Sequence, residues 1–225
     1  MERIRPDDLL GPLNAVERKH APEWLYLAGD RELLRIRPRV SIVGTREASR
    51  GGLNRASRLA RELVARGVVV VSGLARGIDT AAHLAAIEAG GRTIAVLGTP
   101  LDQTYPRENA ELQRLIAEKH LAVSQFSSGN HTARANFPRR NRTMALLTDV
   151  TVIVEASEGS GSLSQGWEAL RLGRRLFIMR AVAENRALSW PGEMKKYGAE
   201  ILARTEDLLD ALPPGVEDSL ASFTF

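Results

Sequence analysis

The chain has 225 residues, 44% hydrophobic and 26% charged, with no cysteine, four histidines and a formal net charge of +4. That balance describes a globular chain without a disulfide framework, a thiolate nucleophile or a cysteine metal site, and the scattered His20, His83, His120 and His131 form no ligand pair. No apolar run approaches the ~20 residues of a membrane span and the start, MERIRPDDLLGPL, lacks an apolar leader core, so a cytoplasmic protein without membrane contact is expected.

Four of the 31 basic residues are lysine, Lys19, Lys119, Lys195 and Lys196, which leaves 31 − 4 = 27 arginines. A planar guanidinium makes forked hydrogen bonds to phosphate. Base composition of the genome or adaptation to heat would also raise arginine, so the clustering of these residues has to decide.

Taken in chain order, residues 1–36 read as an extension, with a short helix over 7–18 and then WLYLAGDRELL as an edge hairpin. From residue 37 an alternation begins. Apolar, β-branched runs recur at VSIVG (40–44), VVVVS (68–72), TIAVLG (93–98), LAVSQ (121–125), VTVIVEA (150–156) and RLFIM (175–179). Helix-period segments lie between most of them. In LNRASRLARELVARG, Leu53, Ala56, Leu59, Ala60, Leu63 and Val64 make one apolar face opposite Arg55, Arg58 and Glu62. Similar patterns cover 78–89, 107–118, 163–172 and 205–211. Strands too apolar to alternate need cover on both faces, so the expected fold is α/β, a doubly wound, mostly parallel sheet over 37–212. The tail, 213–225, is too short for a domain and is expected to fray.

Ligands of such sheets sit beyond the carboxyl ends of the strands. The first end, GTREAS (44–49), is not GxGxxG, and the chain carries no GK[ST] and no GxSxG, so no nucleotide cofactor or serine nucleophile is indicated. Gly44 and Arg46 remain there, with Ser49 as a helix cap. The second end, SGLARGIDTAAH, sets Gly73 and Gly77 around Arg76 after Ser72, a turn that lets an anion approach the main chain. Asp79 and His83 in its helix could form a general-base pair; a structural role, one shaping the loop and one packing beneath it, is the plainer reading.

The third end, NFPRRNRTMALL, crowds Phe137, Arg140, Asn141 and Arg142 against an apolar run. A solvated charge run would look similar, but an arginine cluster beside an aromatic is what phosphodiester contact with base stacking requires. The fourth, EASEGSGSLSQGWEAL, gives a second glycine turn around Gly161 and Ser162, or simply a tight turn with a serine cap. No set of side chains here makes a catalytic or metal centre.

IVGTREAS, SGLARGIDTAAH, IAVLGTPLDQTYPREN, FPRRNR and EASEGSGSL, in that order and spacing, resemble the Rossmann-like core of the DNA-processing protein A family (DprA, also called Smf), over roughly 22–182. The resemblance implies a homodimeric protein that binds single-stranded DNA and helps load the RecA recombinase in natural transformation, and not an enzyme. By position it implies DNA contacts from Arg46, Phe137, Arg140, Asn141 and Arg142, with the Ser72–Gly73–Gly77 and Gly161–Ser162 turns lining the same pocket. The family often adds a helical domain before the core and a winged helix after it, and the length leaves room for neither in full. Where the family reads SGSLITA this chain reads SGSLSQG, followed by Trp167 and Glu168. The wider superfamily of this core supplies two other readings, a nucleotide-signal sensor of a defence system and a phosphoribohydrolase. In the hydrolases a PGGxGTxxE glutamate assists glycosidic cleavage; that position falls on Gln165 here, with Glu168 one helical turn further on.

Overall fold

The computed structural model describes residues 2–129 and 133–213; His131 and the tail from residue 214 lie outside them. The chain opens with β1 (Glu2–Ile4), α1 (Pro6–Leu10), α2 (Ala15–His20) and β2 (Leu25–Gly29). There follow β3 (Arg39–Gly44), α3 (Arg50–Val64), β4 (Val69–Ser72), α4 (Ile78–Glu88), β5 (Thr93–Leu97), α5 (Ala110–Lys119) and β6 (Leu121–Ser124). The second half holds α6 (Asn136–Leu147), β7 (Val150–Glu155), α7 (Ser162–Arg171), β8 (Arg175–Met179), α8 (Arg180–Ala183), α9 (Trp190–Lys196), β9 (Glu200–Leu202) and α10 (Thr205–Leu209). Among the described residues no helix is long and apolar enough to cross a membrane.

All nine strands form one sheet in the order β1-β2-β6-β5-β4-β3-β7-β8-β9, parallel from β6 to β9 and antiparallel at β1 and β2. Successive side chains of each strand point to opposite faces, and both faces are dry. On one face Val40, Ile42, Val70 and Val152 pack against Ala56, Leu59, Ala60 and Leu63 of α3 and Ala82 and Ala86 of α4. On the other, Val43, Val71, Val96 and Ile153 meet Met144 and Leu147 of α6. Each such buried branched side chain contributes about 1.5–3 kcal/mol, which is why the apolar face of α3 fixes that helix despite the two glycines in its first turn.

The amino-terminal segment differs from the expected extension in three respects. The helix over 7–18 is two helices, because Gly11 turns left-handed (φ 78°), Pro12 offers no N–H, and Asn14 starts a new helix by accepting from Val16 N and Glu17 N at 2.9 Å. RELL (31–34) is a 3-10 turn capped by Asp30, not a hairpin strand; the antiparallel partners of β2 are β1 and β6. The segment lies inside the core, where Leu25, Leu27, Leu33 and Leu34 are all nearly inaccessible. NFPRRNRTMALL is also more than a strand end: it is the helix α6, and α9 and β9 were not expected at all.

Candidate nucleic-acid interface

The chain winds from β3 through β4 and β5 to β6, then returns to place β7 on the other side of β3. The reversal opens a crevice at the carboxyl ends of β3 and β7, where doubly wound sheets hold ligands. A cleft of about 550 Å³ occupies that place, walled by Gly44–Glu47, the start of α6 and the turn before α7.

The two loops at its centre are clipped together. The Glu155 carboxylate at the end of β7 accepts from Ser49 N (2.8 Å) and Ser49 Oγ (2.6 Å) and pairs with Arg55 at 3.1 Å, while its carbonyl accepts from Thr45 N at 2.7 Å. This leaves Arg46 at the tip, exposed and without an ion pair among the described residues. Its guanidinium stands 5.4 Å from the Phe137 ring centroid and 5.9 Å from that of Tyr105. The two rings are themselves 5.4 Å apart and tilted by 51°. A Cβ on Gly98 would sit 2.7 Å from the Phe137 ring, so glycine at the end of β5 is what admits that ring to the cleft wall.

The SGLARG turn is built differently from its sequence reading. Two of its N–H groups, Gly73 N and Ala75 N, donate to Asp79 Oδ2 at 3.2 Å each, so these donors serve the chain's own carboxylate and not a phosphate. Ser72 is fully buried and donates to the Ile42 carbonyl at 2.6 Å, tying β4 to β3 beneath the cleft. Leu74 is held left-handed (φ 60°), with its carbonyl bound by Asn109 Nδ2 at 2.8 Å. Gly77 (φ 76°) passes so close to the Thr45 carbonyl that a Cβ there would sit 2.5 Å from it. Arg76 points outward and pairs loosely with Glu108 at 3.6 Å.

Asp79 and His83 bond to different partners. Burial raises the Asp79 carboxyl above the ordinary carboxylate range, opposed by the nearby Arg140 charge and the loop N–H groups. His83 turns to Thr93 Oγ1 at 2.7 Å, and burial pushes its imidazole down to about 3, so it stays neutral and uncharged beneath the loop.

The four residues of FPRRNR separate. Phe137 faces the cleft. Arg140 is 6% exposed; its Nη1 donates to the carbonyls of Gly73 and Val96, the latter at 2.8 Å, and its Nε to Asn141 Oδ1 at 2.9 Å. A Cβ on Gly73 would overlap that guanidinium, so glycine is required for the arginine to seat. Burial lowers the Arg140 pKa, against the opposing pull of Asp79. Asn141 Nδ2 in turn donates to the Gly161 carbonyl at 3.2 Å and sets the turn before α7. Arg140 and Asn141 line the cleft and at the same time tie together the ends of β4 and β5 and the turn before α7. Arg142 lies outside it, paired with Glu168 at 2.8 Å on the outer side of α6 and α7.

Gly161 and Ser162 sit on the cleft wall, with Ser160 Oγ and Ser162 Oγ 2.8 Å apart. Gln165 lies at the floor, 1% exposed, with Nε2 3.4 Å from Thr151 Oγ1. Glu168 faces away from the cleft, toward Arg142 and Arg171. Thr45, Tyr105 and Arg134 also line the cleft and were not singled out from sequence. Tyr105 had a signal, since it stands in DQTYPREN in the loop that follows β5; Arg134, alone among small residues, had none. Among the described residues no group of His, Asp or Glu is placed to hold a metal ion.

A doubly wound, mostly parallel sheet with an aromatic-walled crevice at its switch point defines a Rossmann-like α/β protein. The chain belongs to the DNA recombination-mediator protein A family, which it matches over residues 5–213. It is 36% identical over 198 residues to the DNA processing protein DprA of Streptococcus pneumoniae, covering 88% of this chain and 70% of that one. The X-ray structure of the pneumococcal protein superposes with a TM-score of 0.83 at 33% identity, over 95% of this chain and 75% of that one. A Helicobacter pylori DNA processing protein A structure, described by its single-stranded DNA binding mode, superposes with a TM-score of 0.76 at 29% identity, covering 94% and 93%. The chain spans between 44% and 70% of the length of the curated relatives it matches.

Proposed function

We propose that this chain binds single-stranded DNA in the cleft, as a recombination mediator that assists a RecA-type recombinase and works as a homodimer. The observation that carries the reading is Arg46, a guanidinium without an ion pair among the described residues, standing over two rings at the switch point. A phosphodiester can take the cation while a neighbouring base stacks on Tyr105 or Phe137, and stacking accepts every base. The Helicobacter pylori relative, described by its single-stranded DNA binding, supports the ligand class. Pairing of two subunits would lengthen the basic track and multiply weak phosphate contacts.

Single-stranded DNA is therefore expected to bind more tightly than duplex DNA or mononucleotides, with log affinity falling linearly against log salt at a slope of roughly −0.7 per phosphate contacted. Titrating the three ligands at two salt concentrations checks this. Equal affinity for duplex, or no salt dependence, would sink the reading, and tighter binding of a mononucleotide would point to a nucleotide sensor.

The site is read as binding without cleaving. Gln165 is neutral and cannot stabilise an oxocarbenium ion as a carboxylate can, and Glu168 is held on the outer face by two arginines. Incubation with AMP is expected to release no adenine. Steady turnover abolished by Glu168→Gln would overturn that expectation.

A further inference from the structure

The two antiparallel strands at the amino-terminal edge of the sheet share one end with the cleft. Strands β5 and β6 run parallel with Leu97 beside Ser124, and β2 starts at that same carboxyl end because Tyr26 pairs with Ser124. Strand β1 ends there too, with Ile4 beside Leu25. Carried two residues further, the β2–β6 register sets Trp24 across from Phe126. Carried one residue further, the β1–β2 register sets Arg5 across from Trp24.

Cations stand over the rings at these positions. The Arg3 and Arg5 guanidiniums both lie over the half-buried Trp24 ring, 4.5 and 5.0 Å from its centroid. Arg139 lies over the Phe126 ring at 5.3 Å. All three arginines are exposed and have no ion pair among the described residues; Glu2, the acid of β1, is taken by Arg31 at 2.6 Å. Glu23, Asp7 and Asp8 adjoin the group in sequence and match its arginines in number, so the geometry, and not an excess of charge, marks it as a contact surface.

The group continues the cleft wall. Arg139 follows Phe137 by two residues on α6, and the Phe137 ring seats against Gly98 at the end of β5. Only β6 separates β5 from β2, so Trp24 stands two strand spacings, about 10 Å, from that part of the wall. Cation-over-ring contacts thus recur at three places along one end of the sheet, beginning with Arg46 in the cleft.

We infer that Arg3 and Arg5, held over Trp24, form a second phosphate-contacting station for the single strand that occupies the cleft, with Arg139 on the way to it. This rests on the reading of the cleft as a single-stranded DNA site. A guanidinium steadied by a ring keeps its N–H groups free for phosphate oxygens, and a line of such groups tracks a backbone without reading bases. Charge on an edge strand also deters pairing with another chain. That role requires neither a ring beneath both arginines nor a place at the ligand-binding end of the sheet.

The test is titration with an oligodeoxythymidine of about twenty nucleotides at several salt concentrations. Arg3→Ala/Arg5→Ala is expected to bind roughly tenfold more weakly, with the slope of log affinity against log salt shallower by about 1.4, two phosphates at about 0.7 each. Arg58→Ala/Arg66→Ala removes the same charge from exposed positions at and beyond the end of α3 and should change neither. Trp24 gives a readout in the unaltered arginines: saturation with the strand should change tryptophan fluorescence in the parent, and Trp24→Phe, which keeps a ring under the arginines, should remove that component while binding normally. Unchanged affinity and slope in the Arg3/Arg5 variant would overturn the inference. So would an equal loss in the Arg58/Arg66 variant, or a fluorescence response that Trp24→Phe leaves intact. Arg46→Ala reports on the cleft separately. If Arg46→Ala weakens binding and the Arg3/Arg5 variant does not, this inference alone fails; if Arg46→Ala binds like the parent, the cleft reading fails and takes the second station with it.

Discussion

Arg140→Met is expected to lower the stability of the fold by about 3 kcal/mol or more, and with it the melting temperature by roughly 6–12 °C. The side chain is buried and hydrogen-bonded to the carbonyls of Gly73, just past β4, and of Val96, within β5. Methionine fills much of the volume but donates nothing, so two buried acceptors lose their partner and the buried Asp79 loses its nearest compensating charge. Either loss alone costs on the order of 1–3 kcal/mol. Lysine keeps the charge and has one nitrogen to offer the two carbonyls that Nη1 serves, but no second nitrogen for Asn141 Oδ1, so Arg140→Lys should recover only part of the loss. Thermal unfolding in the absence of DNA is the measurement. A variant that melts like the parent yet has lost DNA binding would return Arg140 to the ligand side of the cleft.

Sequence patterning made the fold legible where burial follows one simple period. The parallel strands are apolar on both faces and bounded by turns, and α3 carries its apolar residues on one side, so both stood out. Patterning failed where polar groups are buried. In α6 the inward positions include Arg140, Asn141 and Thr143, so the helix looks like a charged segment until their partners are known. The strand in LYLAG was expected, but its partner β1 was missed for a different reason: β1 is three residues long and reaches β2 only after two helices, a separation that no local pattern encodes.

The candidate site was legible in its location and less so in its roles. Gly44, Arg46, Phe137, Gly161 and Ser162 do meet around one cleft, because the switch point brings the ends of β3 and β7 together. Counting arginines could not separate a guanidinium that holds the fold from one that faces solvent. Arg39 illustrates the difficulty: 1% exposed, it donates to the Leu147 carbonyl at 2.6 Å and to those of Leu34 and Ile36, and burial lowers its pKa to about 10. The same local sequence, RR in FPRRNR, yields one exposed residue, Arg139, over the Phe126 ring and one buried residue, Arg140. Only the helical phase of α6 tells them apart.

Arg46→Ala is expected to weaken single-stranded DNA binding by about 2 kcal/mol, roughly thirtyfold, because one charge-assisted contact to phosphate is removed from the mouth of the cleft. The slope of log affinity against log salt should become shallower by about 0.7, the signature of one fewer phosphate neutralised. The melting temperature should hardly move, since Arg46 is exposed and its near neighbours Tyr105 and Phe137 keep each other's contact. Adding Phe137→Ala removes a stacking surface worth about 1–3 kcal/mol and leaves the salt slope where Arg46→Ala put it, because a ring neutralises no phosphate. Arg58→Ala, on the exposed face of α3 and 3.8 Å from Glu62, should change neither property. Arg142→Ala belongs between them. Its charge is already shared with Glu168 outside the cleft, so its loss should weaken binding less than that of Arg46. If Arg58→Ala reduces binding as much as Arg46→Ala, the attraction comes from the diffuse positive charge of the whole chain, and the cleft is not where the strand is held.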